Sequence, residues 1–133
     1  MGKEFICRDL TKVEPELQLK VLNLLKNAKH QIRNTNGMDG IDIELFETIR
    51  TQERQDLLLA QGNSKVKHSK HQDGKAVDIV VTLNKQWTWN TKDKRVLKAY
   101  QIIGRCANDE GLQWGGDWKT FIDMPHVELK DKK

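Results

Sequence analysis

An aspartate stands in the middle of a strongly apolar run. Asp78 lies within Ala76–Val81. The five remaining residues of this run are all apolar, and most of them are β-branched. Runs of this composition form buried strands, and a buried carboxylate is costly unless a positive group or a metal ion meets it. The run therefore predicts a strand over about residues 76–82 that carries a partnered charge at its centre.

Two histidines can meet this charge. His71 lies seven residues before Asp78, and Gly74 between them permits the backbone angles that reverse a chain. His126 lies near the C-terminus in the segment Asp123–His126. Two histidines and a carboxylate, with no cysteine nearby, suit a catalytic zinc site that keeps one position open for water. Taken singly, each has a more ordinary role as a surface histidine, a core histidine or an arginine's partner, but the combination favours Zn²⁺.

Other polar residues are candidates for a hydrolytic site. Asp123 can reach the cavity of His126 and accept a proton, although an aspartate often simply begins a turn. Arg50 can bind a substrate carboxylate or a developing negative charge, or it can pair with an acid for structural reasons. Glu128 is a candidate to support His126. His68 is a weaker ligand candidate than His71, because no glycine and strand follow it in the same way.

The remaining pattern alternates helices and strands. Apolar residues at helical spacing predict a first helix from about Pro15, with a buried face that ends at Ile32. Alternation predicts a strand from Ile41 that ends at Arg50, and the apolar contacts of the next helix fall on Leu58–Ala60. The other predicted elements are helices 51–61 and 93–110, loops 62–75 and 83–92, and strands 112–114 and 126–129. Helices on one side of a small, mainly antiparallel sheet predict an α+β fold.

Composition narrows the class of protein. A length of 133 residues suits one domain, residues 1–133, and no apolar run approaches the roughly 20 residues that span a bilayer. The N-terminus lacks the apolar core of a signal peptide, so we expect a protein made in a cytoplasm with Cys7 and Cys106 reduced. A net charge of +4 favours a polyanion, either nucleic acid or the bacterial wall. The basic run 65–71 lacks the interleaved aromatic residues of a single-strand binder.

Several segments together resemble the M15 metallopeptidases. The segments Ser69–Asp78 (S-x-H-x-x-G-x-A-x-D) and Asp123–His126 (D-x-P-H) are similar to the zinc-ligand pattern of this family. Its members include D-alanyl-D-alanine dipeptidases and carboxypeptidases and phage L-alanyl-D-glutamate endopeptidases. Ile49–Gly62 resembles the family's arginine-bearing strand–helix element, and Trp114–Trp118 with Phe121 looks closest to the endolysin branch. The resemblance covers about residues 40–130.

The resemblance implies a fold, a site and an activity. The fold is Hedgehog/DD-peptidase-like, with the zinc site on the sheet. Zn²⁺ is held by His71, Asp78 and His126, Asp123 is the general base, and Arg50 binds and polarises the substrate. The implied activity is that of an endolysin without a separate wall-binding domain, which hydrolyses the L-alanyl-D-glutamate bond of the peptidoglycan stem peptide.

The resemblance also implies partners and a location. We expect a monomer that binds peptidoglycan and no nucleic acid. It would be made in the cytoplasm of the infected bacterial cell and would need a separate holin-type pore to reach the wall. Two alternatives remain open: a D-Ala-D-Ala dipeptidase or carboxypeptidase of the same fold, and a non-catalytic module that binds zinc, wall or nucleic acid.

Overall fold

The computed structural model describes residues 6–64 and 66–131. Residues 1–5, from which most of the signal-peptide expectation came, and Lys65 of the basic run lie outside these ranges. The described residues form three helices, α1 (Pro15–Arg33), α2 (Gln52–Ala60) and α3 (Lys94–Asp109). They also form five strands, β1 (Ile41–Glu47), β2 (Ala76–Leu83), β3 (Gln86–Thr88), β4 (Leu112–Trp114) and β5 (His126–Leu129). Short 3₁₀ turns cover Leu10–Lys12 and Gly115–Asp117. Within the described ranges, no helix is both long and apolar enough to cross a membrane.

β2 is the central strand of an antiparallel sheet. The strand order is β1-β2-β5-β4, and β3 also pairs with β2. β5 pairs with the first part of β2, through Ala76–Asp78, and β3 pairs with its last part, residues 81–83. The prediction of an irregular loop over 83–92 is therefore wrong at β3. A two-residue turn at Asn84 and Lys85, both with positive φ, forms this hairpin.

The hydrophobic core lies between one face of this sheet and the helices α1 and α3. Alternate residues of β2, namely Val77, Ile79 and Val81, belong to the core and are fully buried. The buried face of α1 matches the prediction, and its members are Leu17, Val21, Leu24, Ala28 and Ile32. Because side chains alternate along a strand, Asp78 projects from the opposite face of the sheet. The α+β prediction is confirmed.

A β-bulge shapes the end of β1. Leu45 pairs with Ile79 and Glu47 pairs with Asp78, so that Phe46 is the extra residue between the two pairs. Bulges re-aim side chains and often lie beside functional sites; this one brings Glu47 to the side of Asp78. The strand ends at Glu47, so the prediction that it continues to Arg50 is wrong. The alternation of apolar and polar residues in the sequence gives no sign of the bulge.

α2 buries polar rather than apolar side chains. Its N-cap is Thr51, as predicted, and the Thr51 hydroxyl accepts a hydrogen bond from the Arg54 amide at 3.1 Å. The buried residues of the helix are Arg54 and Gln55, whereas Leu58 and Leu59 are half-buried and Ala60 is exposed. The prediction that Leu58–Ala60 supply the packing is therefore wrong. The helix instead turns its polar face towards Glu47.

Candidate metal centre and cleft

Three segments bring the predicted ligands together. His71 comes from the loop before β2, Asp78 from β2 itself, and His126 from the first residue of β5, which pairs with Asp78. Asp78 Oδ1 lies 3.2 Å from His71 Nε2 and 3.4 Å from His126 Nδ1. One ligand atom from each residue lies within 4.8 Å of the others, the compact arrangement that a metal ion needs.

The donor atoms fit a zinc ion. Among the described side chains, four buried polar atoms lack a hydrogen-bond partner, namely Glu14 Oε2, Arg50 Nε, His71 Nε2 and Asp78 Oδ1. Buried polar atoms are normally satisfied by protein, water or an ion. His71 Nε2 and Asp78 Oδ1 face each other within the candidate ligand set, and His₂Asp is a nitrogen and oxygen set that zinc accepts. The chemistry of these residues therefore suits Zn²⁺.

Hydrogen bonds on the far side of each imidazole orient the ligands. His71 Nδ1 donates to the Thr48 carbonyl oxygen at 2.9 Å, which leaves Nε2 to face Asp78. His126 Nε2 donates to Glu128 Oε1 at 2.7 Å, which leaves Nδ1 on the inner side. Partners of this kind fix the ring orientation and tautomer of metal-binding histidines. Glu128 thus contacts His126 through Oε1, and its Oε2 forms an ion pair with Lys70 Nζ at 2.9 Å.

Charge is concentrated at this centre. Burial alone would raise the pKa of Asp78, but the electrostatic interaction with His71 and the contacts with His126 hold that pKa well below its usual range. Burial alone would lower the pKa of His126, but bonds to Asp78 and Glu128 raise it to about 9. Burial, and then the negative charge of Asp78, raise the pKa of Asp123 to about 6. The three groups respond to one another's charge, as members of one site do.

Asp123 and Arg50 line the same cleft as the three ligands. The cleft has a volume of about 1210 Å³. Asp123 is held by its backbone, since its amide donates to the Gly115 carbonyl at 3.0 Å and its carbonyl accepts from the His126 amide at 3.1 Å. A side chain at residue 115 would collide with the Asp123 carbonyl oxygen. This close approach gives Gly115 of the Trp114–Trp118 segment a structural reason to be glycine.

A buried network that the sequence did not indicate surrounds Arg50. Glu47 is 1% exposed, and its Oε1 accepts from Arg50 Nη2 at 2.8 Å while its Oε2 accepts from Arg54 Nε at 2.9 Å. Arg50 Nη1 also donates to Gln55 Oε1 at 2.8 Å, and its Nη2 lies 3.7 Å from Asp78 Oδ2. Arg50 therefore links Glu47 to the ligand set. The sequence does place arginines three and seven residues after Glu47, and this spacing could have indicated the network. The bulge, which the sequence pattern does not show, turns Glu47 towards them.

Replacing Glu47 with glutamine is expected to lower the free energy of unfolding by about 3 kcal/mol. The change removes the buried carboxylate that both the Arg50 and the Arg54 guanidinium groups contact, and breaking a buried pair from one side typically costs about 3–5 kcal/mol. Glutamine keeps the shape and one acceptor, which favours the lower value. Urea unfolding followed by circular dichroism measures the change.

Glu44→Gln is the matched control for this substitution. Glu44 lies on the same strand but is exposed, and exposed substitutions usually stay within about 0.5 kcal/mol. An unfolding free energy of Glu47→Gln equal to that of the control would contradict the importance of the buried network.

The other histidines and the cysteines lie away from the ligand set. His30 is exposed on α1, and His68 is exposed and bonds Asp73 Oδ1 at 2.8 Å. His71 is only 1% exposed, so the alternative of a surface loop histidine is wrong. Cys7 and Cys106 are both free thiols, as expected.

The chain is similar to known peptidases. Residues 62–129 match an M15 peptidase family model described as D-alanyl-D-alanine carboxypeptidase. The chain is 32% identical over 113 residues to the L-alanyl-D-glutamate peptidase of Listeria phage A118, an alignment that covers 85% of this chain and 39% of that protein. It is 29% identical to the peptidoglycan L-alanyl-D-glutamate endopeptidase CwlK of Bacillus subtilis (strain 168), over 80% of this chain and 71% of that protein.

A solved structure shows the same architecture. The crystal structure of Serratia marcescens L-Ala D-Glu endopeptidase ChiX superposes with a TM-score of 0.66 and 26% sequence identity, and covers 95% of this chain and 89% of that one. By contrast, the chain spans about two fifths of the length of the Listeria phage relative. The family model matches about half of the chain, a stretch that includes His71, Asp78 and His126. The resemblance seen in the motifs is confirmed, and the chain belongs to the M15 peptidase family.

Proposed function

We propose that the protein is a zinc-dependent endopeptidase that hydrolyses the L-alanyl-D-glutamate bond of peptidoglycan stem peptides. The observation that carries this proposal is the convergence of His71, Asp78 and His126 in one cleft with Asp123 and Arg50. Similar proteins from a phage, from Bacillus subtilis and from Serratia marcescens are named for cleavage of this bond, and they support the choice of substrate.

Each residue of the cleft has a defined task in this proposal. His71, Asp78 and His126 would hold the zinc ion, which when bound acts as a Lewis acid towards water and the scissile carbonyl. Asp123 accepts the proton of the attacking water and donates it to the leaving amine. Without the metal ion, burial and the negative charge of Asp78 raise the pKa of Asp123 to about 6. The charge of a bound Zn²⁺ would lower this pKa and favour the carboxylate form that accepts the proton. Arg50 binds the substrate and stabilises negative charge that develops on the carbonyl oxygen.

The position of Arg50 fits this task. Glu47 and Gln55 each accept a hydrogen bond from its guanidinium group at 2.8 Å, so the group is held rather than free to rotate. Its Nη2 lies 3.7 Å from Asp78 Oδ2, beside the ligand set. Donors that are oriented before the reaction stabilise charge without reorganising during it. The alternative that Arg50 pairs with acids for structural reasons also has support, because Arg50 contacts Glu47 and Asp78.

A second candidate is a D-alanyl-D-alanine carboxypeptidase, which the description of the matching family model favours. Such an enzyme would use the same ligands and cut at the other end of the stem peptide. The two candidates differ in their products. The first releases a new N-terminal glutamate, and the second releases free D-alanine.

Digestion of purified peptidoglycan with the zinc-loaded protein tests the proposal. We expect new glutamate N-termini, identified by end-group labelling and mass spectrometry, and one zinc per chain by elemental analysis. Free D-alanine without new glutamate termini would assign the second candidate. Intact walls in the presence of stoichiometric zinc would support the non-catalytic alternative.

We also propose an endolysin role for the chain, which the phage relative supports. Residues 1–133 would act as one monomeric peptidase domain made in the bacterial cytoplasm, and a holin-type pore would give access to the wall. Light scattering measures the molar mass in solution, and we expect the value of one chain, 15.4 kDa. Expression in bacteria with and without a co-expressed pore-forming protein tests the route, because lysis only in the presence of the pore is expected.

A further inference from the structure

Three aromatic residues form a patch beside the cleft. This aromatic patch consists of Phe46, Trp87 and Trp89. The ring of Phe46 meets Trp87 at 5.0 Å and Trp89 at 5.5 Å between centroids, with both pairs nearly perpendicular. Trp87 is 45% exposed and Trp89 is 50% exposed. Exposed aromatic surface of this extent, in contiguous contact, marks a binding surface more often than isolated exposed residues do.

The patch lies on the same face of the sheet as the candidate metal centre. Trp87 pairs with Thr82 across the β2–β3 ladder, and residues that face each other in a ladder share a face. Thr82 and Asp78 share a face because they are an even number of residues apart. The ladder ends at Val81 and Thr88, where the Tyr100 hydroxyl accepts from the Val81 amide and donates to the Thr88 carbonyl. Beyond it, Trp89 packs on Phe46, whose neighbour Glu47 pairs with Asp78. Trp89 and Phe46 also line the cleft.

Polar contacts hold the outer part of the patch in place. The Arg8 guanidinium lies over the ring of Trp87 at 4.8 Å and over that of Phe46 at 5.2 Å. The indole Nε1 of Trp87 donates to Glu44 Oε2 at 3.1 Å. These contacts fix Trp87 and Phe46, against whose rings Trp89 packs. Trp89 lines the cleft and is held by the rings of Phe46 and Trp87, so a ligand in the cleft would contact an indole that is already in position.

The chemistry of the proposed substrate requires a sugar near the scissile bond. L-Alanine is the first residue of the stem peptide and is joined through a lactyl group to the muramic acid ring of the glycan strand. The scissile carbonyl and the sugar are thus separated by about two residue lengths, roughly 7 Å when extended. A bound substrate would therefore place its sugar close to the candidate metal centre, in the cleft that Phe46 and Trp89 also line.

We propose that the aromatic patch is a saccharide subsite, in which Trp89 stacks on a pyranose ring of the glycan strand. The C–H groups on one face of an N-acetylated sugar carry partial positive charge and suit the negative face of an indole ring. The subsite rests on the proposed function, because a carboxypeptidase acting at the far end of the stem would hold the sugar well away from the metal centre.

A pair of substrates with and without the sugar tests the subsite. One is an N-acetylated L-Ala-γ-D-Glu-L-Lys peptide, and the other is the same peptide attached to N-acetylmuramic acid. For the zinc-loaded wild type we expect kcat/KM about tenfold higher on the sugar-bearing substrate, the effect of burying one aromatic face. Trp89→Ala should lose this gain through KM and keep wild-type kinetics on the sugar-free peptide. Trp89→Phe, which retains a ring, should keep most of it.

Leu22→Ala is the matched control. Leu22 is a large apolar residue, 56% exposed on α1 and outside the cleft, and its truncation should change neither substrate's kinetics. The subsite is wrong if the wild type cleaves both substrates equally well, or if Trp89→Ala slows both to the same degree. A concentration-dependent dimer that Trp89→Ala dissociates would assign the patch to a second copy of the chain and would also overturn it.

A binding measurement separates the subsite from the proposed activity. Titration with chitotetraose, a glycan that contains no peptide, should shift the indole N–H resonance of Trp89 in NMR spectra of the wild type. If the protein fails to cut the L-alanyl-D-glutamate bond but shows this shift, the function is wrong and the saccharide subsite stands. If it cuts the bond but shows neither the shift nor a preference for the sugar-bearing substrate, the function stands and the subsite is wrong.

Discussion

Replacing His71 with alanine is expected to remove stoichiometric zinc and to reduce peptidoglycan hydrolysis about a thousandfold or more. His71 Nε2 lies 3.2 Å from Asp78 Oδ1 in a buried position, and its loss leaves two candidate ligands. Lewis-acid activation by a catalytic metal contributes several kcal/mol to transition-state stabilisation, which corresponds to this loss of rate. Elemental analysis after dialysis and release of new N-termini from purified walls measure the two effects.

His68→Ala is the matched control for this change. His68 belongs to the same loop but is exposed and bonds Asp73 rather than Asp78. We expect it to keep wild-type zinc content and to stay within a few-fold of wild-type activity. A His71→Ala protein that stays folded and retains one zinc per chain would contradict the ligand assignment. Circular dichroism establishes that the variant is folded.

Replacing Asp123 with asparagine is expected to reduce kcat by about 10²–10⁴-fold while zinc content stays unchanged. General acid–base groups contribute rate enhancements of this size, and asparagine keeps the shape of the side chain but cannot accept the proton. The backbone bonds of residue 123 to Gly115 and His126 do not involve the side chain, so the local fold should persist. Single-turnover kinetics on a soluble stem peptide separates this loss from a change in binding.

Asp117→Asn supplies the comparison for the base. Asp117 is exposed at the end of the 3₁₀ turn that precedes the Asp123 segment, and its amidation removes the same charge without removing a proton acceptor from the cleft. We expect unchanged kcat. If Asp123→Asn retained wild-type kcat with full zinc, Asp123 would not be the base, and another acid of the cleft would have to be sought.

The three candidate ligands were predictable because their signals are local. Asp78 stands out through the apolar residues around it, and His71 and His126 stand out through the glycine and the proline beside them. Strand alternation then places Asp78 on the face away from the core, as the structure shows. The predicted start of the second helix at residue 51 agrees with the structure, in which the Thr51 hydroxyl caps the helix by accepting from the Arg54 amide.

The buried charges around Arg50 were not predictable in the same way. The inward position of Glu47 depends on a bulge, which exists only relative to the partner strand. On α2, the buried Arg54 bonds to that glutamate, and the buried Gln55 bonds to Arg50. β3 was missed because its turn uses Asn84 and Lys85 with positive φ, whereas glycine is the usual signal for such a hairpin. Each of these features is decided by tertiary contact rather than by local pattern.

One face of β2 lies in the core and the other carries Asp78, and this affects how the protein unfolds locally. Its amides between Ala76 and Asp78 lie in the interior of the sheet, with core residues on one face and the ligand set on the other. Amides of this kind exchange with solvent only when a large cooperative unit unfolds. Hydrogen exchange should therefore find these amides among the slowest in the chain. Breathing motions that loosen the outer ladder at β3 can then occur while the ligand set stays assembled.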